Sequence, residues 1–303
     1  MALRKIILTL ILATGLVLAI GFLRPPGAMV SSGLAENEFW TRKILQKAGY
    51  DVVLIGDSRT YFDLSPAEMK RIMIVDRIYN FGVKYGGLTR EYLEAGAALL
   101  DPQSPRKIIV LGITPHSLTV KTARSNGFID LKKQDFVDRM INLRLSPFMA
   151  FLGPLSLRDI IYKLLGKPYS SIFYVSFFPD GWAAGRKVPP TLEGMLAIYQ
   201  NYYKDNPLEP KTMAAVMSMT AQWKSQGIRV FGFRPPTPPQ MAALEYRLSG
   251  FEQEKFVKDF EAAGGVWLSF DPSRYSSYDG SHLDRDSARE FSRDLARAMV
   301  NRR

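Results

Sequence analysis

Two short segments, far apart in the chain, carry the residue types of an activated serine nucleophile. The upstream segment is an apolar, β-branched run that ends in Gly56-Asp57-Ser58. The downstream segment contains Asp279 and His282, and the whole chain has only 2 histidines. A serine hydroxyl is a weak nucleophile until an imidazole takes its proton, and a carboxylate orients that imidazole. These residue types predict acyl transfer through Ser58, with His282 as the base and Asp279 as the partner of His282.

An alternation of strands and helices is expected to bring these segments together. Strands are predicted at residues 51–55, 76–81, 107–113, 228–233 and 266–270, with apolar residues at helical spacing between them. This alternation indicates right-handed βαβ units and an α/β fold of the flavodoxin-like kind, with about five parallel strands and helices on both faces. The turns after the strands then meet at one edge of the sheet, where such folds place their sites.

Several backbone and side-chain groups near these turns are candidates to bind the developing oxyanion. The backbone N–H of Ser58 is one, and that of Gly86 or Gly87 in the second glycine-rich turn is another. A glycine lets the backbone approach a substrate closely, and the loss of one such donor costs about 10²–10³ in rate in a measured protease. The sequence leaves Gly86 and Gly87 as alternatives.

Three further residues are candidates for substrate contact. His116 follows the third strand, so it is a rival base or a substrate contact, with a surface or structural histidine as the alternative. Arg59 and Arg234 are candidates to steer an anionic polymer or a carboxylate, with ordinary surface charge as the alternative. No His, Asp or Glu cluster has metal-ligand spacing and no Walker-type loop occurs, which predicts no metal and no nucleotide cofactor.

Residues 117–190 interrupt the alternation and predict an insertion after the third strand, packed over or beside the site. Within it, residues 135–145 predict a helix, and residues 170–178 are aromatic and typical of a strand. We expect the aromatic residues to form local core. The alternative is that Tyr174, Phe178 or Trp182 stacks on a sugar ring.

The N-terminal stretch predicts a membrane anchor. Arg4 and Lys5 precede an uncharged stretch at residues 6–23, which approaches the roughly 20 apolar residues that span a bilayer. The expected organisation is an uncleaved signal-anchor at 1–24, a stalk and entry helix at 25–50 and an α/β domain at 51–303. Because basic residues stay on the cytoplasmic side, the body is expected outside the cytoplasmic membrane. A cleaved signal peptide and a buried N-terminal helix are the alternatives.

Composition limits the remaining classes of function. The chain has 303 residues and no cysteine, which excludes disulfides and thiolate metal sites. Its formal net charge is +11, but the basic residues are scattered and form no stripe. This distribution disfavours nucleic acid and suits acidic glycans or anionic lipid head groups better.

These motifs resemble those of the SGNH, or GDSL-type, hydrolase superfamily over about residues 51–303. Gly56-Asp57-Ser58 is similar to the first block of that family, which carries the nucleophile. The stretch from Asn80 to Gly86 resembles the second block, whose glycine supplies an oxyanion N–H. The run at 279–282 resembles the last block, which carries the acid and the base. The resemblance implies a three-layer α/β fold and ester chemistry.

The third block departs from the family pattern. The family has Gly-x-Asn-Asp, and its asparagine completes the oxyanion hole, whereas Thr114 stands at that position here. A threonine hydroxyl in this role would be a donor with less reach. The Gly-Asp-Ser-Arg-Thr run at 56–60, the altered third block and the anchor together resemble the branch that contains alginate O-acetylation proteins and the D-alanyl transfer protein of teichoic acid synthesis. That likeness implies transfer of acyl groups onto extracellular polymers beside a multispanning membrane O-acyltransferase.

Three functions follow as hypotheses. The first is a membrane-anchored serine esterase or O-acyltransferase that acts on esters of extracytoplasmic polysaccharide or cell-wall polymer. The second is a catalytically silent accessory protein of a membrane O-acyltransferase, which the Thr114 departure favours. The third is a lipid esterase at the membrane surface. The sequence does not name the acyl group, the acceptor or the partner.

Overall fold

A parallel sheet forms the centre of the fold. The computed structural model describes residues 2–23, 33–146, 165 and 172–302. Within these residues the strands are β1 (Val52–Gly56), β2 (Ile78–Asn80), β3 (Ile108–Gly112), β4 (Ile172–Phe177), β5 (Ala183–Val188), β6 (Arg229–Phe233) and β7 (Val266–Leu268). Strands β2-β1-β3-β6-β7 pair in that order, all parallel, which is the order of a flavodoxin-like sheet. The α/β prediction is confirmed, and each predicted strand lies within two residues of the observed one.

Helices cover both faces of this sheet. Within the described residues they are α1 (Ala2–Leu23), α2 (Glu36–Ile44), α3 (Ser58–Asp63), α4 (Pro66–Lys70), α5 (Arg90–Ala97), α6 (Val120–Arg124), α7 (Gly127–Lys132), α8 (Phe136–Arg144), α9 (Glu193–Tyr203), α10 (Pro210–Ser225), α11 (Pro239–Ser249), α12 (Gln253–Ala262) and α13 (Arg285–Asn301). Short 3₁₀ turns occur at His116–Leu118 and Pro272–Arg274.

Strand β1 shows why the sheet is buried on both sides. Its side chains alternate between two hydrophobic cores, because successive residues of a strand point to opposite faces. Val53 and Ile55 belong to the core beneath α5, α10 and α12, whereas Val52 and Leu54 belong to the core beneath α13. A strand buried on both faces reads as a continuous apolar run, and this is the pattern that the sequence shows.

Glycines at the ends of β1 and β3 bring α3 close to the sheet. Gly56 and Gly112 are opposite each other in the parallel register. A Cβ atom on either residue would approach the Thr60 hydroxyl to within about 2.2 Å, which real side chains do not allow. The first turn of α3, with Ser58 at its start, therefore lies directly over the carboxyl ends of the two central strands.

The inserted region contributes an antiparallel hairpin of β4 and β5 beside the sheet. The indole N–H of Trp182 donates to the carbonyl of Phe62 at 2.8 Å, and the backbone N–H of Asn80 donates to the carbonyl of Asp180 at 2.9 Å. These bonds attach the hairpin to α3 and β2. The predicted helix at 135–145 is observed as α8, and the rest of the insertion up to residue 171, apart from residue 165, lies outside the described residues.

Helix α1 precedes the α/β body and covers the stretch predicted to anchor the chain. Counted over the residues whose side chains are described, no helix combines the length and the apolarity needed to cross a membrane. The transmembrane anchor is therefore not confirmed. The predicted stalk lies partly outside the described residues, and its entry helix is observed as α2.

Candidate active site

Ser58, His282 and Asp279 form a chain of hydrogen bonds at the carboxyl edge of the sheet. Ser58 is the first residue of α3, and the other two lie in the loop that precedes α13. The Oγ of Ser58 lies 2.8 Å from Nε2 of His282, and Nδ1 of His282 lies 2.8 Å from Oδ2 of Asp279. The fold thus brings together two side chains that are 224 positions apart in the chain.

The ionisation of Asp279 fixes the direction of these hydrogen bonds. Burial acts to raise the pKa of Asp279, but the imidazole of His282 and the backbone N–H groups of Ser281 and His282 outweigh it and lower that pKa. A carboxylate only accepts hydrogen bonds, so Nδ1 of His282 donates to it. In the neutral imidazole, Nε2 is then the acceptor for the Ser58 hydroxyl. This is the arrangement that lets an imidazole take a proton from serine.

The loop that carries this acid and base is held by its own backbone. Oδ1 of Asp279 accepts hydrogen bonds from the N–H groups of Ser281 and His282, each at 2.8 Å. Gly280 has a φ of +87°, a conformation that residues with side chains rarely adopt. The Asp-Gly-Ser-His run is therefore a tight turn that presents both functional side chains to one side.

Aromatic rings hold His282 in position. The ring of Tyr278 stacks on the imidazole at 5.9 Å, and the ring of Phe62 meets it edge-on at 4.9 Å. Tyr278 approaches this closely because Gly185 on β5 has no side chain; a Cβ there would lie 2.7 Å from the ring. Only 8% of His282 is exposed, so the imidazole is largely shielded from water.

Asp57, directly before Ser58, organises the turn. Its Oδ1 accepts the N–H of Arg59 at 3.0 Å and so caps α3, and its Oδ2 accepts the hydroxyl of Thr114 at 2.5 Å. Burial acts to raise the pKa of Asp57, but His116, Arg59 and Thr114 together lower it. Asp57 is therefore a buried carboxylate that fixes the backbone around Ser58.

The predicted role of Thr114 as an oxyanion donor is wrong. Its hydroxyl donates to Asp57, and the same oxygen accepts the N–H of Ser117 at 3.0 Å. The side chain is fully buried, so its one hydroxyl hydrogen is not available to a substrate. The position of Thr114 in the sequence suggested that its hydroxyl replaces the asparagine of the resembled pattern as an oxyanion donor. The hydroxyl instead donates to the carboxylate of Asp57, because a charged acceptor forms the stronger hydrogen bond.

The two glycine candidates occupy different places. A Cβ on Gly86 would lie 2.6 Å from the carbonyl of Gly56 and 3.1 Å from Cα of Asp57, so Gly86 directly adjoins the turn that carries Ser58. A Cβ on Gly87 would instead meet the backbone of Thr122. The N–H of Gly86 donates to the carbonyl of Val83 at 3.2 Å. Gly86 is thus the nearer of the two, and its oxyanion role stays a prediction.

Asn80, at the start of the second glycine-rich turn, holds α3 from its far end. Its side-chain amide donates to the carbonyls of Thr60 and Leu64 at 2.8 and 2.7 Å, and its oxygen accepts the N–H of Gly82 at 3.0 Å. These bonds satisfy carbonyls that a short helix leaves without partners.

His116 lies in the same cavity as Ser58 and His282. Its Nδ1 is 3.6 Å from Oδ2 of Asp57, too far for a hydrogen bond, and its ring lies 4.3 Å from that of Tyr202. Only 4% of His116 is exposed. A surface histidine is therefore excluded, and substrate contact stays a prediction.

The predicted steering role of Arg59 is wrong, and Arg234 is placed away from Ser58. The side chain of Arg59 has no exposed surface, and its guanidinium pairs with both carboxylate oxygens of Glu245, at 2.8 and 3.2 Å. Arg234 pairs with the same carboxylate at 2.8 Å. Neither arginine lines the cavity beside Ser58. Both cations neutralise a buried anion instead.

The cavity beside Ser58 was not foreseen in detail. Of the aromatic residues named as sugar contacts, Trp182 is buried against Phe62, and Phe178 stacks on Trp182 outside the cavity. Tyr174 does not line the cavity either. One wall comes from Phe173, Val175 and Phe177 of the inserted region, which alternate along β4 and so face the cavity. Over the described part of the chain, no group of three or more His, Asp or Glu side chains could hold a metal ion.

Comparisons with known proteins add little to this description. No family model matches the chain, and no curated protein matches it. Among solved structures, the chain is similar to Est24, a carbohydrate acetylesterase from Sinorhizobium meliloti, with a TM-score of 0.35 and 11% identity over 84% of this chain and 99% of that chain. A likeness of that strength carries no argument about function.

Proposed function

We propose that the protein is a serine esterase or O-acyltransferase that forms an acyl-enzyme on Ser58. The observation that supports this most is the pair of 2.8 Å contacts from Ser58 to His282 and from His282 to Asp279. Geometry of this kind is what an activated serine needs, since the base must reach the hydroxyl and a third group must orient the base.

The proposed reaction has two steps, formation and breakdown of the acyl-enzyme. Oγ of Ser58 attacks the ester carbonyl while its proton moves to Nε2 of His282, and the tetrahedral intermediate collapses as His282 returns that proton to the leaving alcohol. Water or an acceptor hydroxyl then attacks the acyl-enzyme, giving its proton to Nε2, and Ser58 takes the proton back as the acyl group leaves. Asp279 stabilises the imidazolium in both halves.

The substrate that we propose is an acyl ester of an extracytoplasmic polysaccharide or cell-wall polymer. Support for this comes from the resemblance of the sequence motifs to those of polymer-modifying proteins, which also suggests a multispanning membrane O-acyltransferase as partner. The extracytoplasmic location rests on the basic N-terminal residues Arg4 and Lys5 before the apolar stretch.

Replacement of the nucleophile tests the proposal. We expect Ser58→Ala to abolish turnover of p-nitrophenyl esters and labelling by a serine-directed fluorophosphonate. Ser225→Ala, which changes an exposed serine at the end of α10, is the control and is expected to behave as wild type. Turnover and labelling that persist in Ser58→Ala would rule out Ser58 as the nucleophile.

A specific observation favours a second function. The hydroxyl of Thr114 is bonded to Asp57, and the N–H of Gly86 is bonded to Val83, so two of the expected oxyanion donors are engaged. On that basis the alternative is a catalytically silent accessory protein of a membrane acyltransferase. Purification with such a partner, combined with no turnover and no fluorophosphonate labelling of the wild-type chain, would favour this second function.

A further inference from the structure

A hydrophobic cavity of about 540 Å³ opens beside Ser58 and His282. Of the 16 residues that line it, 11 are aromatic or aliphatic. We infer that this cavity binds a large hydrophobic acyl group, aliphatic or aromatic, and that acetyl is not the preferred acyl group. The inference rests on the proposed function, since it assigns the acyl half of the ester that Ser58 would attack.

One wall of the cavity is a face of the β4 strand. Phe173, Val175 and Phe177 alternate along β4 and therefore point to the same side. Val175 and Phe177 are 3% and 4% exposed, so they form the closed side of the cavity. The strand presents no charged side chain to the cavity.

A second wall is a face of helix α9. Met195, Ile198, Tyr199 and Tyr202 are spaced three, four and seven residues apart, which places them on one side of the helix. Ile198 is 59% exposed and forms the rim. Two elements outside the central sheet thus both contribute apolar side chains to the cavity next to Ser58.

Apart from the hydroxyls of Tyr61, Tyr85, Tyr199 and Tyr202, the polar lining groups are confined to two places. Ser58, His282 and His116 lie at the reacting end, and Glu36 and Lys84 form an ion pair with each other at 2.5 Å. A charged acyl group would find no unpaired counter-ion along the described walls, whereas a hydrophobic group would displace water from them.

Cavity size favours an acyl group well beyond acetyl. Pockets that enclose drug-sized ligands have volumes of about 300–1,000 Å³, and this one lies within that range. Burial of each additional methylene raises the specificity constant by up to about fourfold, as long as the chain stays inside the apolar walls.

A series of p-nitrophenyl esters with acetyl, butyryl, octanoyl, dodecanoyl and benzoyl groups tests the inference in the wild-type chain. We expect kcat/KM to rise at least about tenfold from acetyl to octanoyl or benzoyl. The octanoyl and benzoyl arms distinguish aliphatic from aromatic acyl groups. If acetyl is the best substrate, the inference is overturned while the proposed function stands. If no ester is turned over and Ser58 is not labelled, both fail.

A substitution at the rim locates the effect in this cavity. Ile198→Trp narrows the entrance, and Gln200→Trp places the same side chain on the exposed side of α9 as a matched control. We expect Ile198→Trp to lower kcat/KM for the octanoyl ester about tenfold more than it lowers kcat/KM for the acetyl ester. Gln200→Trp is expected to match wild type. Equal loss on both esters in Ile198→Trp, with an unchanged melting temperature, would overturn the inference.

Discussion

The Nε of Arg59 donates a hydrogen bond to the Oγ of Ser281 at 3.2 Å. Arg59 directly follows Ser58, and Ser281 directly precedes His282, so this contact runs beside the one between the proposed nucleophile and base. Both residues are fully buried. Arg59 and Ser281 are 222 positions apart in the sequence, so their contact fixes the relative position of the segments that contain Ser58 and His282.

Removal of the Ser281 hydroxyl tests this positioning role. In Ser281→Ala, the buried Nε of Arg59 and the hydroxyl of Tyr199 each lose a partner. We expect the free energy of unfolding to fall by about 1–3 kcal/mol and kcat to fall about tenfold with little change in KM. Urea unfolding and steady-state kinetics measure the two effects. Wild-type kcat in a destabilised variant would show that the contact is only structural.

Loss of the Arg59 guanidinium distinguishes a structural cation from a substrate-steering one. Arg59→Met leaves Glu245 buried with only Arg234 as a partner, and breaking a buried ion pair costs about 3–5 kcal/mol. Because Arg234 remains, we expect a loss near the lower end of that range, measured by urea unfolding.

Arg71→Met is the control for this experiment, since it removes an exposed arginine from an ion pair with Glu68 and is expected to change stability little. A loss of affinity for anionic substrates in Arg59→Met, without loss of stability, would restore the steering hypothesis.

Asp63 gives the fold a pH dependence that is separate from catalysis. Burial raises the pKa of Asp63 well above its usual range, and its Oδ1 accepts the N–H of Leu283 at 2.9 Å. Because the folded state holds this proton more tightly than the unfolded state, its contribution to stability is full below about pH 4 and is lost as pH rises toward the folded pKa.

An asparagine at this position keeps the acceptor and removes the titration. We therefore expect Asp63→Asn to gain stability relative to wild type as pH rises from about 4 to 7. Asp76→Asn makes the same substitution at an exposed position and is the control. Stability is measured by thermal unfolding as a function of pH. If the curves for Asp63→Asn and wild type are parallel from about pH 4 to 7, the pKa of Asp63 is not raised in the folded state.

Local patterns in the sequence were sufficient to predict the central sheet. The runs that became β1 and β3 are apolar and β-branched, and each ends in glycine, so strand type, order of elements and the polar turns at the carboxyl edge were predictable. Boundaries shifted by one or two residues, because the last ladder bonds depend on the neighbouring strand.

Buried polar partners were not predictable in the same way. Arginine is expected at the surface, and nothing near Arg59 in the chain indicates Glu245, which is 186 positions away. Thr114 is two positions from His116, yet its hydrogen bond goes to Asp57, which is 57 positions away. Sequence spacing does not encode such pairs, since they form only after helices and strands pack.

The sequence by itself determined the alternating α/β plan and the residue types at the sheet edge, because periodicity and turn chemistry act over a few residues. It also named Ser58, Asp279 and His282, whose contacts the fold then supplied. Only the tertiary structure decided that Arg59 is a buried counter-ion, that Thr114 is turned to Asp57, and that β4 and α9 build a hydrophobic cavity. Those outcomes depend on which distant surfaces meet when the core excludes water.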